Sequence, residues 1–548
     1  MEKSTSPPDA SNRVEGEEPE EDIYPSGPRL WMMVFSLVIS IFLISLDMAR
    51  RLLVLILSTN SPQTIVATAI PAITDEFQGI KDVVWYGAIF FMTAAGFQST
   101  WGKIYKYFPL KISFLVAIAI FEVGSVLCAA APTSEAFIVG RAIAGMGAAG
   151  VGCGCYTMIG FMAEPRKRAA YTGLLGAIYG VGSVLGPLLG GVFSGNVSWR
   201  WCFYINLPIG VVPVVTIIFF FHTPPTAKTQ EATLREKLLQ MDLLGTTLLM
   251  GATVSYILAV HYGGQVYPWS SSVVIGLLVG SGLLIITFGL NEWWQGERAI
   301  IIPRLFMRRE LGISAMYTVL QAGGFFVMIY YMPIYFQASR GSTPIISGVQ
   351  NLPFILGAAA GAFGAGLVIS ATGLAIVVMV VGAAIGILGS GLCYMFDAHT
   401  STGTWIGFQL ISGFGLGAAF QIPVMVGQST VEPIDLSSAT SMMLCFQTLG
   451  GALWLSAAQS VFVNRLIVTL PKVAPNINPQ SVVATGAGKI REAFPPGDVI
   501  GIVAAYIDGI RGAFVLACIV TGLAMLLAFC LPWRRLDLAA VANAAGAA

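Results

Sequence analysis

Long apolar stretches constrain this chain more than any other feature of its sequence. A helix needs about 20 predominantly apolar residues to cross a bilayer, and fourteen stretches of the sequence qualify. They lie near 31–48, 85–101, 112–131, 136–160, 171–194, 201–221, 242–262, 272–290, 312–336, 346–370, 373–396, 404–428, 437–463 and 512–533. The sequence therefore predicts an all-α membrane protein with fourteen transmembrane helices.

The composition agrees with this prediction and narrows the range of partners. Only 10% of the residues are charged and 56% are hydrophobic, whereas about 25% of the residues of a soluble protein are charged. A net charge of +1 indicates no nucleic-acid partner. The sequence contains no Walker loop, nucleophile elbow or metal-ligand cluster. We therefore predict no enzymatic activity, no cofactor and no metal, and an ion gradient as the energy source.

The distribution of charge predicts the orientation in the membrane. An even number of spans puts both termini on the same side. With the termini in the cytoplasm, that side carries more than twice as many lysines and arginines as the other, as the positive-inside rule requires. The acidic segment 1–28 is too polar to bury and is predicted to be disordered, and residues 536–548 are predicted to form a second cytoplasmic tail.

An internal repeat predicts two parallel halves. Arg141 with Gly145 and Gly147 in the fourth span recurs as Gln409 with Gly413 and Gly415 in the twelfth. Parallel repeats of six helices are common in transporters. The predicted units are an N-terminal half at 29–221, a linker with two extra helices at 222–310, and a C-terminal half at 311–535.

A glycine pattern in the fifth span carries the first resemblance to a family. The motif G-x-x-x-G-x-G-x-x-x-G-P-x-x-G-G comprises Gly176, Gly180, Gly182, Gly186, Pro187, Gly190 and Gly191. Such small residues let a neighbouring helix approach closely, as at any tight helix–helix contact. The pattern also resembles the antiporter motif of drug:proton antiporters in the major facilitator superfamily. That resemblance implies export, because uptake carriers of the superfamily generally lack the motif.

Intramembrane charges indicate where protons are coupled. Arg141 lies in the fourth span, where a charge costs about 2.5–3.5 kcal/mol on insertion scales. It either reaches outward to the membrane surface or serves a function. Its segment R-x-x-x-G-x-G resembles the superfamily's fourth-helix motif, whose arginine is implicated in proton coupling. Asp47 and Glu122 are the carboxylates that could pair with it, although Glu122 could instead bond to a neighbouring helix.

The loop after the second span resembles the superfamily's loop between helices two and three. The candidate cytoplasmic gate residues in it are Gly102, Lys106 and Lys111. This loop departs from the usual pattern, because Lys106 replaces an aspartate, Pro109 a glycine and Leu110 a basic residue. The resemblance implies a gate here, and the departures put its usual charge relay in doubt.

Polar and aromatic side chains on apolar spans predict a substrate cavity. The candidates are Gln321, Tyr330, Tyr331, Gln447 and Trp454, with further glutamines such as Gln421 and Gln459. Glutamines in membrane helices can equally hold helices together. An aromatic cavity with few charges suits a bulky, amphipathic substrate. Asn196 begins a glycosylation sequon in the loop predicted to lie outside.

Residues 49–63 interrupt an otherwise continuous first-helix motif. Joining Met48 to Thr64 gives L-D-M-T-I-V-A-T-A-I-P, which resembles the first-helix motif of fourteen-span exporters. With the segment present, Arg50 and Arg51 follow Asp47 closely, and buried charges are costly in a membrane. We expect the helix to break there. The segment is interpreted as intron-derived, with a genuine outer-side loop as the alternative.

Together these features resemble the fungal-type fourteen-helix drug:proton antiporters that export toxins and secondary metabolites. The resemblance implies a monomeric, proton-coupled exporter of the plasma membrane, or alternatively of a vacuolar or vesicle membrane. A proton-coupled uptake carrier, for example for siderophores, and a non-transporting membrane sensor are the alternative functions.

Overall fold

The structure is a computed structural model that describes residues 24–25, 27–57, 83–224, 227 and 229–535. These residues form 21 α-helices and no β-strand. The helices are Gly27–Leu57 (α1), Val83–Tyr107 (α2), Leu110–Ala129 (α3), Ser134–Met162 (α4), Pro165–Asn196 (α5), Trp201–Tyr204 (α6), Asn206–Phe220 (α7), Leu234–Leu239 (α8), Leu243–Tyr262 (α9), Ser272–Gln295 (α10), Pro303–Phe306 (α11), Arg309–Arg340 (α12), Pro344–Gln350 (α13), Leu352–Thr372 (α14), Ala375–Cys393 (α15), Thr402–Phe420 (α16), Ile422–Ser429 (α17), Leu436–Val473 (α18), Pro479–Thr485 (α19), Ile490–Ala493 (α20) and Pro496–Phe529 (α21).

The all-α membrane architecture is confirmed. Within the described ranges, 12 helical segments are long and apolar enough to cross a membrane. Helices α2 and α5 occupy the second and fifth predicted spans but are not among those 12. The total of fourteen spans therefore stays a prediction.

The helices pack as two groups with an additional hairpin. A buried apolar cluster joins α1–α5 and α7 with the start of α18, and a second cluster is built by helices from α12 onwards. The two groups meet where α5 packs on α14 and where α2 packs on α18. Helices α9 and α10 pair with each other, and α9 contacts both α2 and α18. The extra pair therefore stands beside one of the two seams between the groups.

The repeated glycine pairs have equivalent surroundings. In α4, Gly145 packs on the backbone of α2 at Phe90 and Gly147 packs on α3. In α16, Gly413 packs on α14 and Gly415 on α15 in the same way. Close backbone approach explains why small residues recur at these positions.

The two seams also show the repeat. Gly102 of α2 packs against Ser441 of α18, so a side chain at residue 102 would collide with the other half. Gly366 of α14 packs against the backbone at Ala169 in α5. Each half thus presents a glycine of its second long helix to the partner half.

The expected break in the first helix beside Asp47 is wrong, because α1 continues without interruption to Leu57. A continuous helix keeps backbone hydrogen bonds inside the segment, whereas an abrupt end in lipid would leave them unmade. Residues 58–63 of the suspected insertion lie outside the described residues, as do the predicted tails up to residue 23 and from residue 536.

Candidate functional site

A buried ion pair joins α1 to α4. Nη1 of Arg141 lies 3.7 Å from Oδ2 of Asp47, and both side chains are buried. The Arg141 Nε donates a hydrogen bond of 2.9 Å to the Tyr86 carbonyl, and the guanidinium lies 4.6 Å from the centre of the Phe90 ring. The alternative in which Arg141 reaches outward is therefore wrong: its side chain is 0% exposed, because Asp47 and α2 hold it inside the bundle.

Glu122 occupies a different environment. Its carboxylate packs against Gly210 of α7, where any side chain would collide with it. Neither carboxylate oxygen has a hydrogen-bond partner among the described residues, although Asp47 interacts with it electrostatically. Of the two candidate carboxylates, it is therefore Asp47 that the fold places against Arg141.

The glycine pattern of α5 faces two different partners. Gly182 packs against Ser45 and the backbone of Leu46 in α1, directly before Asp47. Gly176 packs against Gln421, and a Cβ at Gly180 would lie 3.6 Å from Cγ2 of Ile355 in α14. The surroundings of Pro187, Gly191 and Asn196 lie outside the described part of the structure, while Gly186 and Gly190 are buried. The described glycines therefore link the helix that carries Asp47 to the opposite half.

A cavity of about 330 Å³ lies between the two halves. Ile41 and Ile44 of α1 line it on one side, and Tyr330 and Gln447 line it on the other. This volume is at the lower end of the range typical for small-molecule sites. No group of three or more His, Cys, Asp or Glu side chains that could hold a metal ion occurs among the described residues.

Three of the five predicted cavity residues are not among those that line it. The Gln321 Nε2 donates a hydrogen bond of 3.2 Å to the Leu416 carbonyl. The Tyr331 hydroxyl donates one of 3.0 Å to Oε1 of Gln459, and Gln459 does line the cavity. The indole of Trp454 packs against Gly323. These side chains hold helices together, which for Gln321 was the structural alternative.

Ionic contacts connect the two halves where α2 ends and α18 begins. The Lys106 Nζ lies 2.9 Å from Oδ1 of Asp435. Arg304, from the segment before α12, lies 2.9 Å from the other oxygen of Asp435 and 2.7 Å from Glu297. The hydrogen bonds from Arg304 to Glu297, and then to Asp435, raise the pKa of Arg304 above its ordinary value. We call Lys106, Asp435, Arg304 and Glu297 the ionic gate.

The other predicted gate residues behave differently. Gly102, one helical turn before Lys106, lies in the close contact with Ser441 of α18. Lys111 does not reach the second half: its Nζ donates hydrogen bonds of 2.8 Å and 3.0 Å to the carbonyls of Ile218 and Phe221. Cations at the carboxyl end of a helix are stabilising. Lys111 therefore contacts the end of α7 in its own half.

Comparison with known proteins decides the family. The sequence profile described as Major Facilitator Superfamily matches residues 52–455. This chain belongs to the Major Facilitator Superfamily. As a member of that superfamily it is a multi-pass membrane transporter of small molecules rather than an enzyme.

Relatives of this transporter come from fungi. The chain is 44% identical to the MFS-type transporter grgE of Penicillium sp over 532 residues, covering 97% of this chain and 92% of the relative. It is 46% identical to the probable efflux pump gsfJ of Penicillium aethiopicum, covering 94% and 90% of the two chains. It is 36% identical to the MFS-type efflux pump MFS1 of Arthroderma benhamiae, covering 93% and 92%.

Solved structures support the superfamily fold. The human organic anion transporter MFSD10 (TETRAN) aligns with a TM-score of 0.56 at 14% identity, covering 90% of this chain and 100% of the other. The proton:xylose symporter XylE aligns with a TM-score of 0.51 at 14% identity, covering 89% and 94%.

One wall of the cavity was not predicted from the sequence. Thr253, Ile257 and His261 of the extra helix α9 line the cavity. They are spaced four residues apart, so they lie on one helix face. That spacing is a usable signal, but nothing in the sequence shows that the extra helices between the halves reach the cavity.

Proposed function

We propose that this transporter exports bulky, amphipathic small molecules in exchange for protons. The observation that carries the proposal is the buried ion pair between Asp47 and Arg141. Ionisable residues inside a membrane protein are costly and mark ion pathways. Asp47 follows Ile44, a residue that lines the cavity, by less than one helical turn, so a proton on Asp47 would be bound close to the substrate.

In this proposal, protonation of Asp47 changes the packing of α1. The proton removes the negative charge of Asp47, so the attraction to Arg141 is lost. Ser45 lies against Gly182, so α1 and α5 are in direct contact next to Asp47. Since α5 in turn packs on α14, a shift of α1 would reach the seam between the halves. Alternating access requires that the proton interacts more favourably with one of the two conformations than with the other.

The ionic gate supports alternation between two conformations. Lys106 and Asp435 are buried and join the halves at one end of the bundle, which is therefore closed in this conformation. We assign this end to the cytoplasm on the basis of the positive-inside distribution. Opening of the cytoplasmic end requires separation of Lys106 from Asp435.

Export, rather than uptake, is supported by the glycine pattern of α5 and by relatives that are named efflux pumps. The composition of the cavity supports a mostly apolar substrate, because no Asp, Glu, Lys or Arg is among its described lining residues. We further propose a monomer in the plasma membrane with both termini in the cytoplasm, with the halves bounded at 29–221 and 311–535.

Flux measurements in everted vesicles test the proposal. The vesicles would contain the full chain and receive rhodamine 6G, 2-methoxyanthraquinone or 2-hydroxyanthraquinone, which are cationic, neutral and weakly acidic. An acidic lumen should drive accumulation of at least one probe, and a protonophore should abolish it. Proton-driven loss of probe from the lumen would instead show uptake into cells. Absence of any protein-dependent flux would contradict transport of this class of compound and favour a sensor.

A further inference from the structure

The extra helix α9 lies against both halves of the transporter. Near its start, the Thr246 hydroxyl is 3.2 Å from the Thr100 hydroxyl of α2, and Met250 packs on Gly96. Just beyond its end, the Asn464 side chain of α18 lies 3.5 Å from the Gly263 carbonyl. The helix is thus held to the first half at one end and to the second half at the other.

Between these two attachments, α9 presents one face to the cavity. Thr253, Ile257 and His261 lie on that face, together with the neighbouring Tyr262. The rings of His261 and Tyr262 have centroids 5.8 Å apart. The extra hairpin is therefore part of the wall that a bound substrate would touch.

His261 is chemically distinct within this wall. Among the described lining residues it is the sole His, Asp, Glu, Lys or Arg side chain, and the other polar groups are amides and hydroxyls. A neutral imidazole carries one hydrogen-bond donor and one acceptor. His261 can therefore donate to, or accept from, a polar group on a substrate that is otherwise surrounded by apolar and aromatic side chains.

We propose that His261 selects substrates that carry a weakly acidic hydroxyl group, such as a phenol, on an aromatic skeleton. A fully ionised acid fits poorly, because a buried charge is costly unless it is paired and the described lining offers no Lys or Arg. A phenol stays neutral in the cavity and donates a hydrogen bond to the acceptor nitrogen of the imidazole. The inference rests on the proposed function, since it names the substrate class of the same cavity.

Equilibrium binding to the purified full chain in phosphatidylcholine nanodiscs tests this inference without any proton gradient. The probes are tritiated 2-hydroxyanthraquinone and 2-methoxyanthraquinone, in which a methyl group replaces the acidic hydroxyl hydrogen. One net hydrogen bond corresponds to a preference of roughly threefold to tenfold for the hydroxyl compound. His261→Phe should remove the preference, whereas His261→Gln should retain part of it because the amide can still bond to the hydroxyl.

Tyr256→Phe is the matched control, because Tyr256 belongs to α9 but is not among the lining residues. It should leave the preference unchanged. Failure of the wild-type protein to bind either probe, equal binding of both, or an undiminished preference in His261→Phe would overturn the inference. A His261-dependent preference in a protein that shows no proton-driven export would refute the proposed coupling alone.

Discussion

Lys106 and Asp435 form a buried ion pair between the two halves of the transporter, with Nζ and Oδ1 2.9 Å apart. Asp435 also accepts a hydrogen bond from Arg304 at 2.9 Å. A single carboxylate therefore pairs with two cations from different parts of the chain, and Glu297 supplies the second negative charge of the cluster. Lys106 stands where the superfamily's loop between helices two and three usually has an aspartate. An ion pair can still form at this position, because Asp435 of the opposite half supplies the negative charge.

The first prediction concerns this ionic gate. Asp435→Ala should weaken the closed cytoplasmic end more than Lys106→Ala does, because it removes the carboxylate that pairs with Lys106 and one of the two that pair with Arg304. Breaking a buried pair from one side costs about 3–5 kcal/mol, and Lys106→Ala still leaves Asp435 bonded to Arg304. The measurement is the distance between spin labels at Lys167 and Thr372, in a background lacking the exposed Cys530. This distance should be longest in Asp435→Ala, intermediate in Lys106→Ala and shortest in the wild type.

Lys111→Ala is the control for the gate, because Lys111 bonds only to carbonyls at the end of α7 among the described residues. Its label distances should match those of the wild type. An unchanged distance distribution in Asp435→Ala would show that these ion pairs do not hold the halves together.

The second prediction concerns the glycine pattern. A Cβ at Gly182 would lie 2.7 Å from Cβ of Ser45 and 3.3 Å from the Leu46 nitrogen. Gly182→Val should therefore displace α1 from α5 and abolish transport while the protein still reaches the membrane. Gly289→Val in α10 is the matched control, since a Cβ there would meet no atom within 4 Å. Normal transport by a normally inserted Gly182→Val protein would refute a functional role for this contact.

The sequence predicted well those features that are set by local chemistry. Apolar stretches predicted the long helices, because lipid offers the backbone no other hydrogen-bond partners. The repeat of Gly145 and Gly147 at Gly413 and Gly415 predicted equivalent helix contacts, because both sites exclude a side chain. Intramembrane charge also identified Arg141 and Asp47, which are paired.

Features that depend on distant packing could not be predicted. Asp435 is 329 residues from Lys106, and no local pattern connects them. Tyr330 lines the cavity whereas Tyr331 does not, because successive residues of a helix point about 100° apart. Choosing between them requires knowledge of how α12 is rotated in the bundle. The position of α9 at the cavity likewise depends on contacts with both halves.

The third prediction concerns residues 49–63. If the segment is intron-derived, the mature transcript joins the codons of Met48 and Thr64, and a protein that lacks the segment transports normally. Sequencing of transcripts across this junction, with flux assays of both forms, provides the measurement. A segment present in every mature message, together with impaired transport after its deletion, would contradict the intron hypothesis and show that the segment is a genuine part of the protein.

The fourth prediction concerns orientation. With both termini in the cytoplasm, the sequon that begins at Asn196 faces outward, so we expect a glycan there. Treatment with peptide N-glycosidase should increase the gel mobility of the wild-type protein and leave Asn196→Gln unchanged. A mobility that does not respond to the enzyme would contradict glycosylation at this site, and accessibility of the termini to protease in everted vesicles would then test the orientation alone.

The fifth prediction concerns proton coupling through Asp47 and Arg141. Asp47→Asn and Arg141→Ala should each still exchange labelled for unlabelled substrate without a gradient, within about twofold of the wild type, because neither residue is among the described cavity-lining residues. Both should lose accumulation against a concentration gradient when the lumen of everted vesicles is acidified. Asp47→Asn removes the charge that the proton would cancel, and Arg141→Ala removes the cation that responds to that charge, so protonation no longer biases the two conformations. Glu122→Gln, whose carboxylate faces Gly210 instead, should retain that accumulation.

The comparison of gradient-driven accumulation with gradient-free exchange in Asp47→Asn is the most direct measurement of coupling. The ion pair with Arg141 predicts that exchange persists while accumulation driven by the proton gradient disappears. Full gradient-driven accumulation by a normally inserted Asp47→Asn protein would contradict the proposal that Asp47 carries the transported proton.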